Sequence, residues 1–519
     1  MPTHGSARML RRAVTALVVC SAATVAAEPL TVALRIVADD GASGGGTPTV
    51  QPLIGALTGP AEPAALPTLL QQAIRTDPDL AKVTIDLEIA AASIDAARAW
   101  DDWQVGAAVA TGTSVSTTAV GDARLWNASL SGDLTRRLST GGVAGVEVLG
   151  RWTDSSRSAS QYTEAITATL TQPLLRGRGE ELVRAAERAA QIERDAAALA
   201  GDAAAVTVVQ DVVLAYFNLV AAERELAIRQ ASLELARERL RVTQAGITAG
   251  GVAPAERISV EQAIATREED ILAGEVSVIE ASLALRRAAG LPIGAGQLLL
   301  TTDVALAITP RSWDVGAILA ATIAYSPEAA RLRALEAGAT IDVEVGERGV
   351  LPSLDLAMSL GPSGSADDPG EAALDVVTFQ EFAAALSLTY RTTVGEVAAR
   401  ATARSARARR QRVRIDAGDL EKQLALAVTR AVVAVTAAER RHDLAVRTIG
   451  LAEQALAAEQ ARLASGKSRN VDVLARQDEL RAAQLRQIRA IVEWHRAATT
   501  IAALTGELLP SYGVTVARR

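Results

Sequence analysis

The chain has 519 residues, of which 3% are aromatic and 22% are charged, and its formal net charge is −7. Alanine, arginine, glutamate and leucine dominate, a composition typical of long helices and coiled coils rather than of a conventional enzyme core. The acidic balance argues against a nucleic-acid binder, which needs a basic surface.

The first 27 residues have the pattern of a secretory signal. Three arginines precede a short apolar run, and Val25 and Ala27 are placed for cleavage before Glu28. We therefore predict a signal peptide at residues 1–27, whose removal takes away three arginines and no acid. The single cysteine, Cys20, would be lost with it. The alternative is a lipid-anchored N-terminus at Cys20.

The rest of the sequence contains a tandem duplication. One offset, 216 residues, superimposes glycines and acids of the two halves. The coinciding pairs are Gly250 with Gly466, Gly290 with Gly506, and Glu256 with Asp472. A heptad series of apolar residues begins at Val212 and keeps its phase in the second copy. The coinciding glycines and the shared heptad phase together indicate two structural repeats.

The first repeat is predicted over residues 66–292, after a flexible N-terminal segment at 28–65. It has a helix at about 66–101, strands within about 103–173 and a long helical hairpin over about 178–290. No proline interrupts the stretch from Gly179 to Gly246, so a helix of roughly 100 Å is expected. A helix of that length has to pack beside similar helices.

The second repeat is predicted over residues 326–508, after an inter-repeat linker at 293–325. It repeats the order of the first: a helix at about 327–349, strands within about 353–391 and a hairpin over about 395–506. Residues 509–519 form a C-terminal tail.

The strand-like segments have the lengths of tilted transmembrane strands. They are residues 103–118, 160–172, 353–360 and 382–391. Two strands per repeat would leave open edges, which lipid does not tolerate, so a barrel would need several protomers. A soluble β-domain is an equal alternative on these strands alone. Extra residues in the first repeat predict one more hairpin, at 125–134 and 142–152, which either extends the strands or adds to the sheet.

An ordered set of short motifs resembles the TolC-like outer-membrane efflux protein family. It covers about residues 66–508, and its parts are Asp77-Pro-Asp-Leu80, Leu170-Thr-Gln-Pro-Leu-Leu-Arg-Gly177, Leu351-Pro-Ser-Leu354 and Gly466 followed by Val471-Asp-Val-Leu474. The resemblance implies a mainly α fold with membrane β: a tandem-repeat protomer of a trimeric outer-membrane β-barrel, continued by a long periplasmic α-helical barrel. It implies four barrel strands from each protomer.

The resemblance also implies a function. The homotrimer would be a passive duct of a tripartite efflux or type I secretion system, in contact with outer-membrane lipid. It would dock with a periplasmic adaptor (a membrane fusion protein) and an inner-membrane transporter. The main rival is a periplasmic adaptor or other coiled-coil scaffold, which would show a single hairpin; a periplasmic enzyme ranks third.

Candidate functional residues lie at the hairpin tips. In relatives, an aspartate at the position of Asp472 narrows the pore, and a ring of three carboxylates would favour cations. Glu256 would add a second ring or pair with a neighbouring arginine, and the alternative for both acids is helix capping. The tip residues expected to contact the adaptor are Gly250, Gly466, Lys467 and Arg469. We expect no catalytic, cofactor or metal site. His442 interrupts a heptad, which favours a packed or pore-facing position, and His495 has no acid or cysteine partner at ligand spacing. No motif assembles a nucleophile with a base.

Overall fold

The computed structural model describes residue 54 and residues 61–514, apart from positions 119–120, 157, 295–299, 303–306 and 310. The predicted signal peptide, Cys20 and most of the segment 28–65 lie outside these residues. The helices are α1 (Leu66–Thr76), α2 (Pro78–Arg98), α3 (Glu180–Val183), α4 (Ala185–Thr248), α5 (Ala255–Ala288), α6 (Val315–Tyr325), α7 (Pro327–Gly349), α8 (Pro369–Val377), α9 (Val397–Ala464), α10 (Asn470–Thr505) and α11 (Leu508–Ser511). The strands are β1 (Glu62–Pro63), β2 (Trp103–Thr118), β3 (Gly121–Arg137), β4 (Val143–Ser155), β5 (Ser158–Pro173), β6 (Leu300–Thr301), β7 (Ser353–Ala366) and β8 (Glu381–Arg391).

Two long helices, α4 and α9, run the length of the helical region. They have 64 and 68 residues, which corresponds to about 100 Å each. Next to the strands, the shorter helices α2 and α7 pack beside them; farther away, the return helices α5 and α10 do so. Each level along the bundle is therefore four helices wide. Close packing is visible where a Cβ added to Gly346 would lie 3.1 Å from the Cα of Ala403.

The hydrophobic core is concentrated midway along the long helices. The heptad positions Val212 and Leu219 are fully buried, as are their repeat counterparts Val428 and Val435. The most apolar 18-residue window of α4 is long enough to cross a membrane, but half of it is buried in the protein, as in a core helix. Predicted heptads therefore mark the packed seam.

Short elements surround this core. Strand β1 pairs in parallel with β6, and α1 and α11 pack against α4. The buried Arg286 of α5 donates to Glu62 of β1 over 2.7 Å. The predicted N-terminal segment, linker and tail thus contain ordered structure, because apolar residues such as Leu300 of the linker and Leu509 of the tail complete the core.

One six-stranded antiparallel sheet contains the remaining strands, in the order β2-β3-β4-β5-β7-β8. The extra hairpin of the first repeat therefore adds strands to the sheet. The resemblance implied four strands in a protomer, and six are present because β3 and β4 are inserted between β2 and β5. The junctions with the long helical region, before β2 and β7 and after β5 and β8, all lie at one end of the sheet.

Two local features differ from the sequence predictions. The helix expected at 66–101 is divided at Asp77, where Pro78 begins a new helix and the Asp77 side chain accepts from the backbone N–H groups of Asp79 and Leu80. Helix α8, between β7 and β8, was not predicted. It packs on the sheet so closely that a Cβ on Gly364 would lie 2.2 Å from the carbonyl oxygen of Ala372.

Candidate channel wall and gate

The six-stranded sheet has one apolar face. Because paired residues share a face, the registers assign the side chains strand by strand. The exposed large apolar residues on this face are Trp103, Val105, Val109, Val115, Trp126, Leu130, Leu134, Val146, Val148, Ile166, Met358, Leu360, Phe382, Leu386, Leu388 and Tyr390. Such a band crosses all six strands, which is the pattern of a lipid-facing barrel wall.

The opposite face carries mainly small and polar side chains. Its members include Gln104, Ser114, Ser129, Ser131, Asp133, Thr135, Glu147, Arg151, Thr163, Thr167, Thr169, Ser359, Ser363, Ser387 and Thr389. A face of this kind suits the water-filled interior of a barrel.

An interfacial anchor marks the helix end of the apolar face. The guanidinium of Arg136 lies 5.3 Å from the ring centroid of Trp103, and its Nη2 donates to Asp101 over 2.8 Å. Aromatic side chains with a polar neighbour are typical of the boundary between hydrocarbon and water. Trp103 is the first residue of β2, so this boundary would lie where the strands meet the helices.

The hairpin tips are exposed and built around glycine. Gly250 and Gly466 have φ values of +78° and +73°, a backbone region that favours glycine, and a Cβ on either would meet nothing within 4 Å. Lys467 and Arg469 are exposed beside the second glycine. The four residues expected to contact an adaptor are thus at the two turns, open to a partner.

Asp472 is exposed in the first turn of α10 and caps that helix. Its Oδ2 accepts from the backbone N–H of Arg469 over 3.2 Å. The hydroxyl of Ser468 also donates to it over 3.4 Å. A carboxylate at a helix N-terminus is stabilised by the helix dipole. Capping therefore holds the carboxylate in place at the tip, and leaves it accessible to solvent.

Glu256 connects the two tips. Its Oε2 accepts from the backbone N–H of Asn470, the first residue of α10, over 3.3 Å. Pairing with a neighbouring arginine was one of three roles considered for Glu256, and Arg257 lies 3.4 Å from Glu261. Glu256 thus caps the return helix of the other hairpin rather than its own, which ties the first tip to the second.

A group of four charged residues joins α5 to α10 farther from the tips. Arg267, only 3% exposed, donates to Asp478 over 3.0 Å and to Ser232 over 3.0 Å. Arg481 bonds Asp270 and lies 3.5 Å from Asp478. Burial lowers the pKa of Arg267, and the carboxylate of Asp478 opposes that shift. We call these residues (Arg267, Asp270, Asp478 and Arg481) the inter-hairpin cluster, which no motif in the sequence indicates.

His495 and Glu439 belong to the core. The ring of His495 stacks on Phe217 with centroids 4.0 Å apart, and burial lowers its pKa. The carboxylate of Glu439 accepts from the indole N–H groups of Trp313 and Trp494 over 3.2 and 3.0 Å. These polar groups fix the packing of the aromatic side chains around them.

Comparison with known proteins gives the family. The family model described as outer membrane efflux protein matches residues 69–291 and 322–507. The chain belongs to the outer membrane efflux protein family. Its two hairpins, where an adaptor would have one, agree with that membership. The protein is accordingly an outer-membrane efflux channel protein, and the family is one of ducts rather than of enzymes.

Solved structures show the same fold in other members. The channel CusC has a TM-score of 0.63 at 14% identity, covering 88% of this chain and 98% of that chain. The outer membrane channel CmeC of Campylobacter jejuni has a TM-score of 0.62 at 14% identity, covering 85% of each chain. VceC from Vibrio cholerae has a TM-score of 0.61 at 17% identity, covering 85% and 96%. A search of curated proteins found no match.

Proposed function

We propose that three copies of this protein form a passive duct that carries substrates across the outer membrane. The observation that supports this most strongly is the two-faced sheet, apolar outside and polar inside, with unpaired edges at β2 and β8. Unpaired backbone groups cannot remain in lipid. A closed wall therefore needs further copies, and three is the number that the family resemblance implies.

The helices would continue this duct into the periplasm. Four helices at each level in one protomer give twelve in three, enough to enclose a tube about 100 Å long by the helix rise. The hairpin tips would form its far end, where Lys467 and Arg469 would meet a periplasmic adaptor working with an inner-membrane transporter.

The tips would also control passage. Three copies of Asp472, each held by its own cap, would place a ring of carboxylates around the opening and favour cations. The inter-hairpin cluster would hold α5 against α10 in the closed arrangement. Opening would require these ion pairs to separate.

Electron microscopy of detergent-extracted outer membranes tests the assembly. Hollow threefold particles with a helical shaft are expected, and a monomeric rod absent from the outer membrane would refute the duct. In planar bilayers, Asp472→Asn should lower the preference for cations. The control is Glu453→Gln, which neutralises an exposed carboxylate on α9 far from the turn. An unchanged reversal potential in Asp472→Asn would refute the ring.

A further inference from the structure

The edges of the six-stranded sheet carry information about how copies join. This inference rests on the proposed trimeric duct and specifies its wall. We infer that β2 of one protomer pairs with β8 of the next, which closes a barrel of eighteen strands, three protomers with six strands each, in a definite register. Val109 of β2 then lies opposite Leu386 of the neighbouring β8.

Strand direction permits this closure. Neighbouring strands in the sheet are antiparallel throughout. Strand β2 runs away from the helical end, and β8, the sixth in order, runs back toward it. The two edges are therefore antiparallel to each other when copies are placed side by side, and the alternation continues around a closed ring.

The faces of the two edges restrict the register to alternate choices. On β2 the apolar face carries the odd-numbered residues Val105 and Val109, and on β8 it carries the even-numbered residues Leu386 and Leu388. Directly opposite residues must share a face. An odd residue of β2 therefore has to face an even residue of β8, which excludes every second register.

The stagger between neighbouring strands of one protomer selects one of the registers that remain. The row of paired residues that starts at Trp103 runs through Arg136, Ala144, Leu170 and Met358 to Leu386. Trp103 begins β2, whereas Leu386 lies five residues before the end of β8 at Arg391. Over the five steps from β2 to β8, the helical ends of the strands are therefore displaced by five residues relative to this row, which is about one residue per step. With strands about 4.8 Å apart, this shift corresponds to a tilt of about 35°, within the range of barrels.

The sixth step leads from β8 to the β2 of the next protomer. If it adds the same shift of about one residue, the total shift is six residues, and this β2 begins at the same level as the first. The sixth step places Trp103 one residue beyond Arg391 of the neighbour, and hence Val109 opposite Leu386. This register satisfies the face rule. All residues of β8 then find partners within β2, from Gln104 opposite Arg391 to Ser114 opposite Glu381, and no like charges face each other.

The width of the barrel agrees with the helical part. Eighteen strands at this tilt give a backbone radius of about 17 Å, and twelve would give about 11 Å. Twelve helices spaced 8–10 Å apart enclose a ring with a radius of about 15–19 Å. The wider sheet therefore meets the helical barrel without a step, and β3 and β4 supply the extra circumference.

Cysteine pairs on the polar face test this register. Ala110→Cys on β2 is combined in turn with Ala383→Cys, Ala385→Cys or Ser387→Cys on β8, all small-to-small changes. The inferred register sets Ala110 opposite Ala385; the other two positions are diagonal neighbours about 7–8 Å away, too far for an unstrained disulfide. Oxidation should give a covalent trimer on denaturing gels for the Ala385 pair, at least about tenfold more than for the others.

Controls separate the possible failures. Each single-cysteine variant should give no covalent trimer, which also excludes Cys20 as the bridging residue. Thr169→Cys with Ser359→Cys, a pair opposite within one protomer, should form a disulfide without linking protomers. A dominant trimer at Ala383 or Ser387 would overturn the register. Threefold particles with no cross-link at any pair would overturn this closure but leave the duct, whereas monomers in the microscope would refute the duct itself.

Discussion

The inter-hairpin cluster gives a sharp test of how the duct opens. Asp478→Asn removes the carboxylate that faces Arg267, whose guanidinium is nearly inaccessible to water. Loss of one partner from a fully buried pair costs about 3–5 kcal/mol. The side chain of Asp478 is 49% exposed, and asparagine keeps one acceptor oxygen, so we expect about 1–2 kcal/mol. That energy should shift the balance from closed toward open by about 5- to 30-fold.

Single-channel recording in planar bilayers measures this shift as the fraction of time that the channel is open. The matched control is Glu479→Gln, one residue further along α10. Glu479 lies 2.7 Å from Arg476 of its own helix, and its loss leaves the contact between hairpins intact. Equal open fractions for Asp478→Asn and Glu479→Gln, with both trimers equally resistant to heat, would contradict the assignment of this cluster as a lock.

Three further predictions concern stability. Gly364→Ala should lower the free energy of unfolding by about 1–3 kcal/mol, because the added methyl group overpacks against α8. The loss should be seen as a lower melting temperature of the trimer. The control, Gly418→Ala, places its methyl group where no atom lies within 4 Å and should be neutral or stabilising. Since burial lowers the pKa of His495, the unfolded chain binds its proton first; stability should fall as pH drops below about 6.5, and His495→Phe should reduce that fall. Glu439→Ala leaves two indole N–H groups without their acceptor and should cost about 2 kcal/mol, measured by tryptophan fluorescence during unfolding; no loss in any of these assays would contradict the contact concerned.

The sequence predicted most of the helices and a segment within each of the six strands of the sheet. Long heptad series and glycine turns are local signals. The strand at 103–118 was predicted to the residue because the helical period ends at Trp103 and small, β-branched and hydroxyl residues follow. Helix α8 was missed although Asp368 and Pro369 are a typical helix start, since nine residues between two strands are easily read as a loop.

The inter-hairpin cluster could not be read from the sequence. Arg267 and Asp478 are 211 positions apart, so the repeat offset does not align them, and the chain has 53 basic and 60 acidic residues. Choosing the interacting pairs requires knowing which faces of α5 and α10 meet. The same applies to Glu256, whose partner is a backbone N–H group of the other hairpin.

The exposed turn at the end of α9 has a practical consequence for chemistry. The chain has three lysines, Lys82, Lys422 and Lys467, because its other basic residues are arginines. Lys467 is the lysine at a turn, whereas the other two lie within α2 and α9. Amine-reactive bifunctional reagents should therefore label this end of the molecule at a single side chain and covalently trap whatever is docked there. Lys467→Arg keeps the charge and removes the reactive amine, which makes it a silent reference for mass spectrometry.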